Sequence, residues 1–201
     1  MTTSHKFDED YYENGVEKGI SGYTNYSYMP TRSYEEAITI KELWGSGKIL
    51  DFGCAKGYLV HALNQLGFDA YGYDISDYAI NNCHPSVVKR VGITPPPFTV
   101  DYVVAKDVME HVPEEEVPIV LKTIRGLCKE ALFVIPLGDN NKFRIREYEI
   151  DVTHVTKKDE DWWINKLQEA GFKLKDFKYK LGSIKKKWKG YEHGNGFFLV
   201  K

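Results

Sequence analysis

Short apolar runs alternate with helix-like stretches along most of this chain, and that alternation limits the fold more than any other feature. Strand-like runs stand at Lys48–Phe52, Asp69–Tyr73, weakly near Val87–Val91, at Val100–Ala105 and at Ala131–Ile135. Helical patterns lie between them. Ser33-Tyr34-Glu35-Glu36 reads as a capping box opening a helix to about Trp44. A second helix runs from Tyr58 to Leu66 and stops at Gly67, and a short one follows Ser76 from Asp77 to Cys83. Pro113 suits the first turn of a helix to Leu127, and Thr156 can cap one ending near Ala170. Strands that alternate with helices make a mostly parallel sheet covered on both faces. The last two strands, near 172–181 and 196–200, have no helix between them, so they form an antiparallel hairpin.

The chain has 201 residues, enough for one domain with its own core. Cys54, Cys83 and Cys128 are odd in number and lack C-x-x-C spacing, which fits a reducing, cytoplasmic setting better than a disulfide framework. The first residues lack a signal-peptide core, and the longest apolar run, 131–137, is too short to span a membrane. Net charge is −2 but uneven: residues 172–201 hold nine Lys against Asp176 and Glu192. That stretch is either a solvated hairpin face or a surface for an anionic partner.

The most informative stretch is ILDFGCAKGYL, at 49–59. A strand runs into Asp51, and Gly53 and Gly57 follow before the helix. In open parallel sheets, ligands bind beyond the carboxyl ends of the strands. A dinucleotide loop would read G-x-G-x-x-G and seat a pyrophosphate on the helix N-terminus. Here the pattern is D-x-G-x-x-x-G. The acid would repel a pyrophosphate, but it suits an ammonium group or a sulfonium-bearing ligand. Asp74 ends the next strand, 23 residues on, where a carboxylate can accept from ribose hydroxyls. Ile75 can pack on a purine face. A tight strand–helix turn with an N-cap aspartate is the plainer alternative.

ILDFGCAKGYL, AYGYDIS and DYVVAKDVMEHV together resemble the successive motifs of class I S-adenosylmethionine-dependent methyltransferases, in their small-molecule (type 11/12-like) branches. The likeness covers about residues 45–200. It implies an α/β, Rossmann-like, doubly wound, seven-stranded sheet ending in an antiparallel hairpin. It also implies that Gly53, Cys54, Ala55 and Gly57 line the methionine part of S-adenosyl-L-methionine. By the same likeness Asp51 anchors the amino end, Asp74 holds the ribose, and Asp107 and Val108 flank the cofactor, whose product form is S-adenosyl-L-homocysteine. The short Val91-Gly92-Ile93-Thr94 stretch lacks the acid or amide that often reads the adenine amino group.

Methyl transfer needs a base only when the acceptor must lose a proton. Glu110 and His111 follow the fourth strand; Asp151 and His154 lie in the loop after the fifth. These four are the candidate catalytic groups. The blander readings are that His111 buttresses the cofactor loop and that Asp151 and Thr153 brace theirs. The four are also suitable metal ligands, but nothing in their spacing demands a metal, and none is assigned. Residues 1–32, rich in Tyr, read as a cover over the site, and 33–201 as the catalytic domain; the alternative for the Tyr segment is plain packing on the sheet edge. TPPPF at 94–98 precedes its strand, so it is a turn and not a nucleobase-amine box. The expected acceptor is small: a sugar, a lipid-linked or polyketide-type hydroxyl, or an amine. RNA bound by the Lys-rich hairpin, or cofactor binding without turnover, are the alternatives. No membrane partner is expected, nucleic acid is disfavoured, and the chain is a monomer or a homodimer.

Overall fold

A computed structural model describes residues 6–201; residues 1–5 of the Tyr-rich segment lie outside the described residues. The sheet is built from β1 (Lys48–Phe52), β2 (Asp69–Tyr73), β3 (Val91–Gly92), β4 (Val100–Lys106) and β5 (Cys128–Pro136). A small hairpin, β6 (Gly138–Asp139) with β7 (Lys142–Phe143), stands apart. β8 (Leu174–Lys178) and β9 (Asn195–Val200) complete the main sheet. Its order is β3-β2-β1-β4-β5-β9-β8, with seven strands. The first five pair in parallel, and β9 pairs antiparallel with β5 and with β8. The doubly wound α/β sheet with its C-terminal antiparallel hairpin is thus the fold expected from the sequence.

Parallel strands covered on both sides read as unbroken apolar runs. Ile49 and Leu50 are both fully buried, as are Val103, Val104 and Ala105, and Ala131 through Val134. On one face, Leu121, Ile124, Trp163 and Leu167 close the core with Phe133 and Phe198. They come from α6 (Val117–Leu127) and α7 (Glu160–Glu169). On the other face, α3 (Pro30–Trp44) and α4 (Tyr58–Gln65) contribute Ala37, Ile40, Val60 and Leu63. The edge strand β8 is exposed and carries Lys175 and Lys178, which discourages another chain from pairing there.

Several helix starts differ from the sequence reading, each for a local reason. α3 begins at Pro30, whose fixed φ suits a first helical position, so Ser33 lies inside the helix and its amide bonds to Met29 O at 3.1 Å. Pro113 instead heads a turn whose carbonyl accepts from Glu116 and Val117, and α6 starts at Val117. Asp159, not Thr156, caps α7 by accepting from Trp162 N at 2.8 Å. The Thr156 hydroxyl donates to Val112 O. The weak third strand shrinks to Val91–Gly92, because 85–87 is a single 3-10 turn. α5 (Asp77–Asn81) is capped by Ser76 as expected.

Phe133 is fully buried between the sheet and Phe172, their rings 5.6 Å apart. Truncation to Ala leaves a cavity that rigid neighbours cannot fill. Phe133→Ala should lower unfolding free energy by about 3–5 kcal/mol in urea denaturation, without loss of the native far-ultraviolet signal in buffer.

Candidate active site

β1 and β4 are neighbours in space while the chain winds away from them in opposite directions. Such a switch point opens a crevice beyond the strand ends. The loop leaving β1 turns at once: the amides of Gly53 and Cys54 both donate to Tyr73 O, at 2.7 and 3.0 Å. Gly53 has φ +85°, and a Cβ there would lie 2.3 Å from Val108 Cγ2. The loop therefore approaches the segment after β4 as closely as backbone can. Ala55 sits at φ +46°, and Asp107 across the crevice at φ +59°. Two non-glycine residues in left-handed conformations facing one cavity mark stored strain of the kind found at binding sites.

Asp74 holds the strained loop in place. One carboxylate oxygen accepts from Ala55 N at 2.7 Å and the other from Ser76 N at 2.9 Å. Burial raises its pKa against these two bonds. Each oxygen keeps a second lone pair, so bracing the loop and receiving a diol are compatible.

The cavity has a volume of about 220 Å³. Its floor includes Asp51, Gly53, Cys54, Ala55, Asp74 and Ile75, and Asp107, Val108 and His111 form a further wall. These are nine of the residues singled out from the sequence. Gly57 is not on the wall. It opens α4 at φ +71°, and a Cβ there would meet Val87 Cγ2 at 2.9 Å, so it serves helix packing and not close approach to a ligand.

Asp51 is buried, and desolvation lifts its pKa to about 7, with Lys106 opposing and Glu36 and Asp74 reinforcing the rise. Lys106 lies 3.8 Å from Glu36 and 3.2 Å from Asp107. Arg32 bonds to Glu36 at 3.2 Å. Lys185 pairs with Asp107 and donates to the Tyr148 hydroxyl at 2.7 Å. Despite burial, Lys185 and Lys106 hold the Asp107 carboxyl far below the usual range. Sequence reasoning missed Arg32, Glu36, Lys106 and Lys185. Glu36 breaks the apolar face of α3, which was a usable signal. Lys185 sits in a run of three lysines, and nothing local sets it apart.

The segment before α3 folds over the crevice. It contains α1 (Glu9–Glu13) and α2 (Gly15–Lys18), and Phe7, Tyr11, Tyr12, Tyr23 and Tyr26 line the cavity. Lys56, in the glycine loop, reaches up to Glu13 at 2.6 Å and to Tyr26 O at 3.0 Å. Ser76 donates to Phe7 O at 2.5 Å. Tyr11 donates to Asp151 Oδ2 at 2.8 Å.

Of the four candidate catalytic residues, only His111 lines the cavity. The other three are grouped behind it. Asp151 accepts from Tyr11, from Thr153 N at 2.9 Å and from the Thr153 hydroxyl at 2.5 Å. Those are bracing bonds. His111 Nδ1 is 2.7 Å from Thr153 Oγ1, and the His111 and His154 rings are 4.6 Å apart. Burial, with His154 adding to it, lowers the His111 pKa to about 4; burial also lowers that of His154. Glu110 is fully buried, and burial first and Asp107 second raise its pKa well above the usual range.

Gly53→Ala forces Val108 or the loop to move. It should weaken binding of S-adenosylhomocysteine about tenfold or more by calorimetry, the equivalent of about 1–3 kcal/mol of overpacking, while the protein stays folded.

The profile of a family described as a methyltransferase domain matches residues 31–176. No curated protein compared with the chain matches it. Solved structures do. A TehB-like SAM-dependent methyltransferase from Corynebacterium glutamicum aligns at 18% identity with a TM-score of 0.61, over 84% of this chain and 87% of its own. The magnesium protoporphyrin IX methyltransferase ChlM of Synechocystis, with bound SAH, aligns at 14% identity with a TM-score of 0.63, over 85% and 83%. The mitomycin 7-O-methyltransferase MmcR aligns at 13% identity with a TM-score of 0.63, over 94% of this chain and 65% of its own. Those likenesses carry the fold. With a family profile running from α3 to the edge strand β8, the chain belongs to the methyltransferase-domain family in its class I, S-adenosylmethionine-dependent form.

Proposed function

We propose that the chain transfers a methyl group from S-adenosyl-L-methionine to a small acceptor, a sugar or another hydroxyl compound. The observation that carries this reading is the switch-point cavity: a glycine-loop floor with two buried carboxylates, closed by an aromatic cover. These residues fit the donor. Gly53 leaves free the space a Cβ would take, Asp51 is an acid suited to an ammonium group, and Asp74 and Ile75 suit a ribose and a purine face. When bound, the donor supplies a methyl already activated by positive sulfur, so the protein's task is alignment and exclusion of water. Tyr11, Tyr12, Tyr23 and Tyr26 offer ring faces that attract a cation. On this reading the segment before α3, up to Met29, acts as the lid and the chain from Pro30 on as the catalytic domain, so the boundary expected at residue 33 moves back to the helix start.

His111 is the one candidate catalytic residue on the cavity lining, which supports a role for it in meeting an acceptor. With a pKa near 4 it is neutral at pH 7 but a weak base, so its role is to orient a hydroxyl and not to take the proton unaided. The Lys-rich hairpin gives little support to an RNA substrate. Lys185 is buried, Lys175 pairs with Glu130, Lys178 with Asp176 and Lys186 with Glu35.

Among the described residues no helix is long and apolar enough to cross a membrane.

Calorimetric titration tests the cofactor site. Wild type should bind both S-adenosylmethionine and S-adenosylhomocysteine, and Asp74→Asn should weaken both at least about tenfold, since a carboxylate bond to a hydroxyl contributes about 1.5–3 kcal/mol. A folded wild type that binds neither would refute the proposal. Methyl-labelled donor offered with a panel of sugars and phenols should then yield a labelled product.

Asp51 makes the binding pH-dependent. An ammonium group favours the ionised carboxylate, so affinity should fall as pH drops through about 7. Between pH 7.5 and 6 the loss should be about tenfold, with a proton released on binding, and Asp51→Asn should flatten the profile. The stability effect has the opposite sense: the native state holds the Asp51 proton more tightly than the unfolded chain. This contribution is present below pH 4 and is lost as pH rises through about 7.

A further inference from the structure

Behind His111 lies a second constellation that methyl transfer as derived above does not use. One ligand-type atom each from Glu110, His111 and His154 lies within 4.8 Å of the others. His154 is remote in sequence from the other two. Glu110 and His111 sit in the 3-10 turn after β4, and His154 comes from the loop between β7 and α7. The backbone joins the two segments: Val155 N and Thr156 N both donate to Glu110 O, at 2.8 and 3.0 Å.

The hydrogen bonds fix which ring nitrogens are free. His154 Nδ1 is 2.7 Å from Tyr148 O, and a carbonyl can only accept, so Nδ1 carries the proton. The Thr153 hydroxyl gives its proton to Asp151 and therefore accepts from His111 Nδ1–H. Both neutral imidazoles thus keep a lone pair on Nε2. Each is oriented through its other nitrogen by a backbone carbonyl or a hydroxyl–carboxylate relay, the support that metal-binding histidines generally have. The third group is Glu110. It is fully buried, and neither carboxylate oxygen has a hydrogen-bond partner among the described residues. Buried carboxylates without a partner are rare, because desolvation must be offset by a proton donor or a cation.

We propose that Glu110, His111 and His154 bind one divalent ion of the first transition series, set against the wall of the methyl-donor cavity. Two imidazole nitrogens and one carboxylate suit zinc, cobalt, nickel or iron, whereas calcium and magnesium favour all-oxygen sets. Three protein ligands leave at least one position for water or for an acceptor oxygen. His111 belongs to both the cavity and the cluster, so the ion would stand where an acceptor hydroxyl needs its proton drawn off. That use rests on the methyl-transfer reading; the binding does not.

The test uses the full chain stripped with chelator and titrated with Zn²⁺ by calorimetry and with Co²⁺ by visible absorption. One ion per chain should bind. Glu110→Gln and His154→Ala should each weaken binding by more than the roughly 10- to 100-fold that follows loss of a merely supporting group. His61→Ala is the control: His61 and His84 stack at 4.1 Å around Ser86, off the cavity lining, and this pair is a second imidazole cluster among the described residues that could take up the ion. Its binding should match wild type. Retained S-adenosylhomocysteine binding in the variants shows that they are folded and keeps the two readings separable. Should a variant fail to fold, paramagnetic broadening by Co²⁺ in the wild type decides, since His111 and His154 should broaden and His61 and His84 should not. Absence of one-to-one binding in a wild type that still binds S-adenosylhomocysteine would overturn the proposal. So would unchanged affinity in both variants, or broadening confined to His61 and His84.

Discussion

The site depends on one close approach, between the loop after β1 and the segment after β4. Parallel pairing of β1 with β4 carries both chain ends to the same place, and only a residue without a side chain lets the loop pass Val108. Most of the site's other features respond to that constraint. Ala55 and Asp107 take left-handed conformations at the crevice. Asp74 spends one lone pair of each oxygen on the loop and its neighbour, fixing the distance between the first and second strand ends. The aromatic cover is then pinned to the fixed loop through Lys56 and Ser76, so the lid and the floor share anchors. A cavity built this way is pre-organised: little ordering is left for a ligand to impose.

Electrostatics divides the crevice into two zones. On the α3 side, Arg32, Glu36, Lys106, Asp107 and Lys185 form a chain of alternating charge, buried at Glu36 and Lys185 and half-buried elsewhere, in which each group has an opposite neighbour. Asp51 stands beside that chain with no cation at salt-bridge distance among the described residues, and burial dominates its titration. A cationic ligand would complete the pattern. On the His111 side the groups are held apart from solvent, and neither Glu110 carboxylate oxygen has a hydrogen-bond partner among the described residues. The two zones meet at Asp107, which lies beside Lys185 and raises the pKa of Glu110.

The sheet was legible because period and burial agree. Lys48–Phe52 and Asp69–Tyr73 match their sequence bounds, since apolar runs of that length flanked by glycine leave few alternatives. Helix starts were less legible, because several residues compete to cap. Pro30 displaces Ser33 at α3, and Asp159 displaces Thr156 at α7. At the site, the spacing of the glycine loop and Asp74 marked them out, since both lie within one βαβ unit, and both line the cavity, while their cofactor roles rested on the family resemblance. Asp151 and His154 could be picked out by residue type but not by role. Their partners, Tyr11 and Tyr148, come from distant segments, and no local pattern states whether a carboxylate faces a ligand or a tyrosine. Lys185 is the extreme case: a buried lysine inside a basic run is told apart only by the partner that buries it.

Hydrogen exchange with and without S-adenosylhomocysteine tests the central claim most directly, that the donor lies between the glycine loop and the Tyr-rich cover. Slowed exchange should be concentrated in residues 7–29, 51–58, 73–76 and 106–112, with the floor and the cover protected together. Binding that protects the Lys-rich hairpin and leaves the glycine loop and cover unchanged would contradict it.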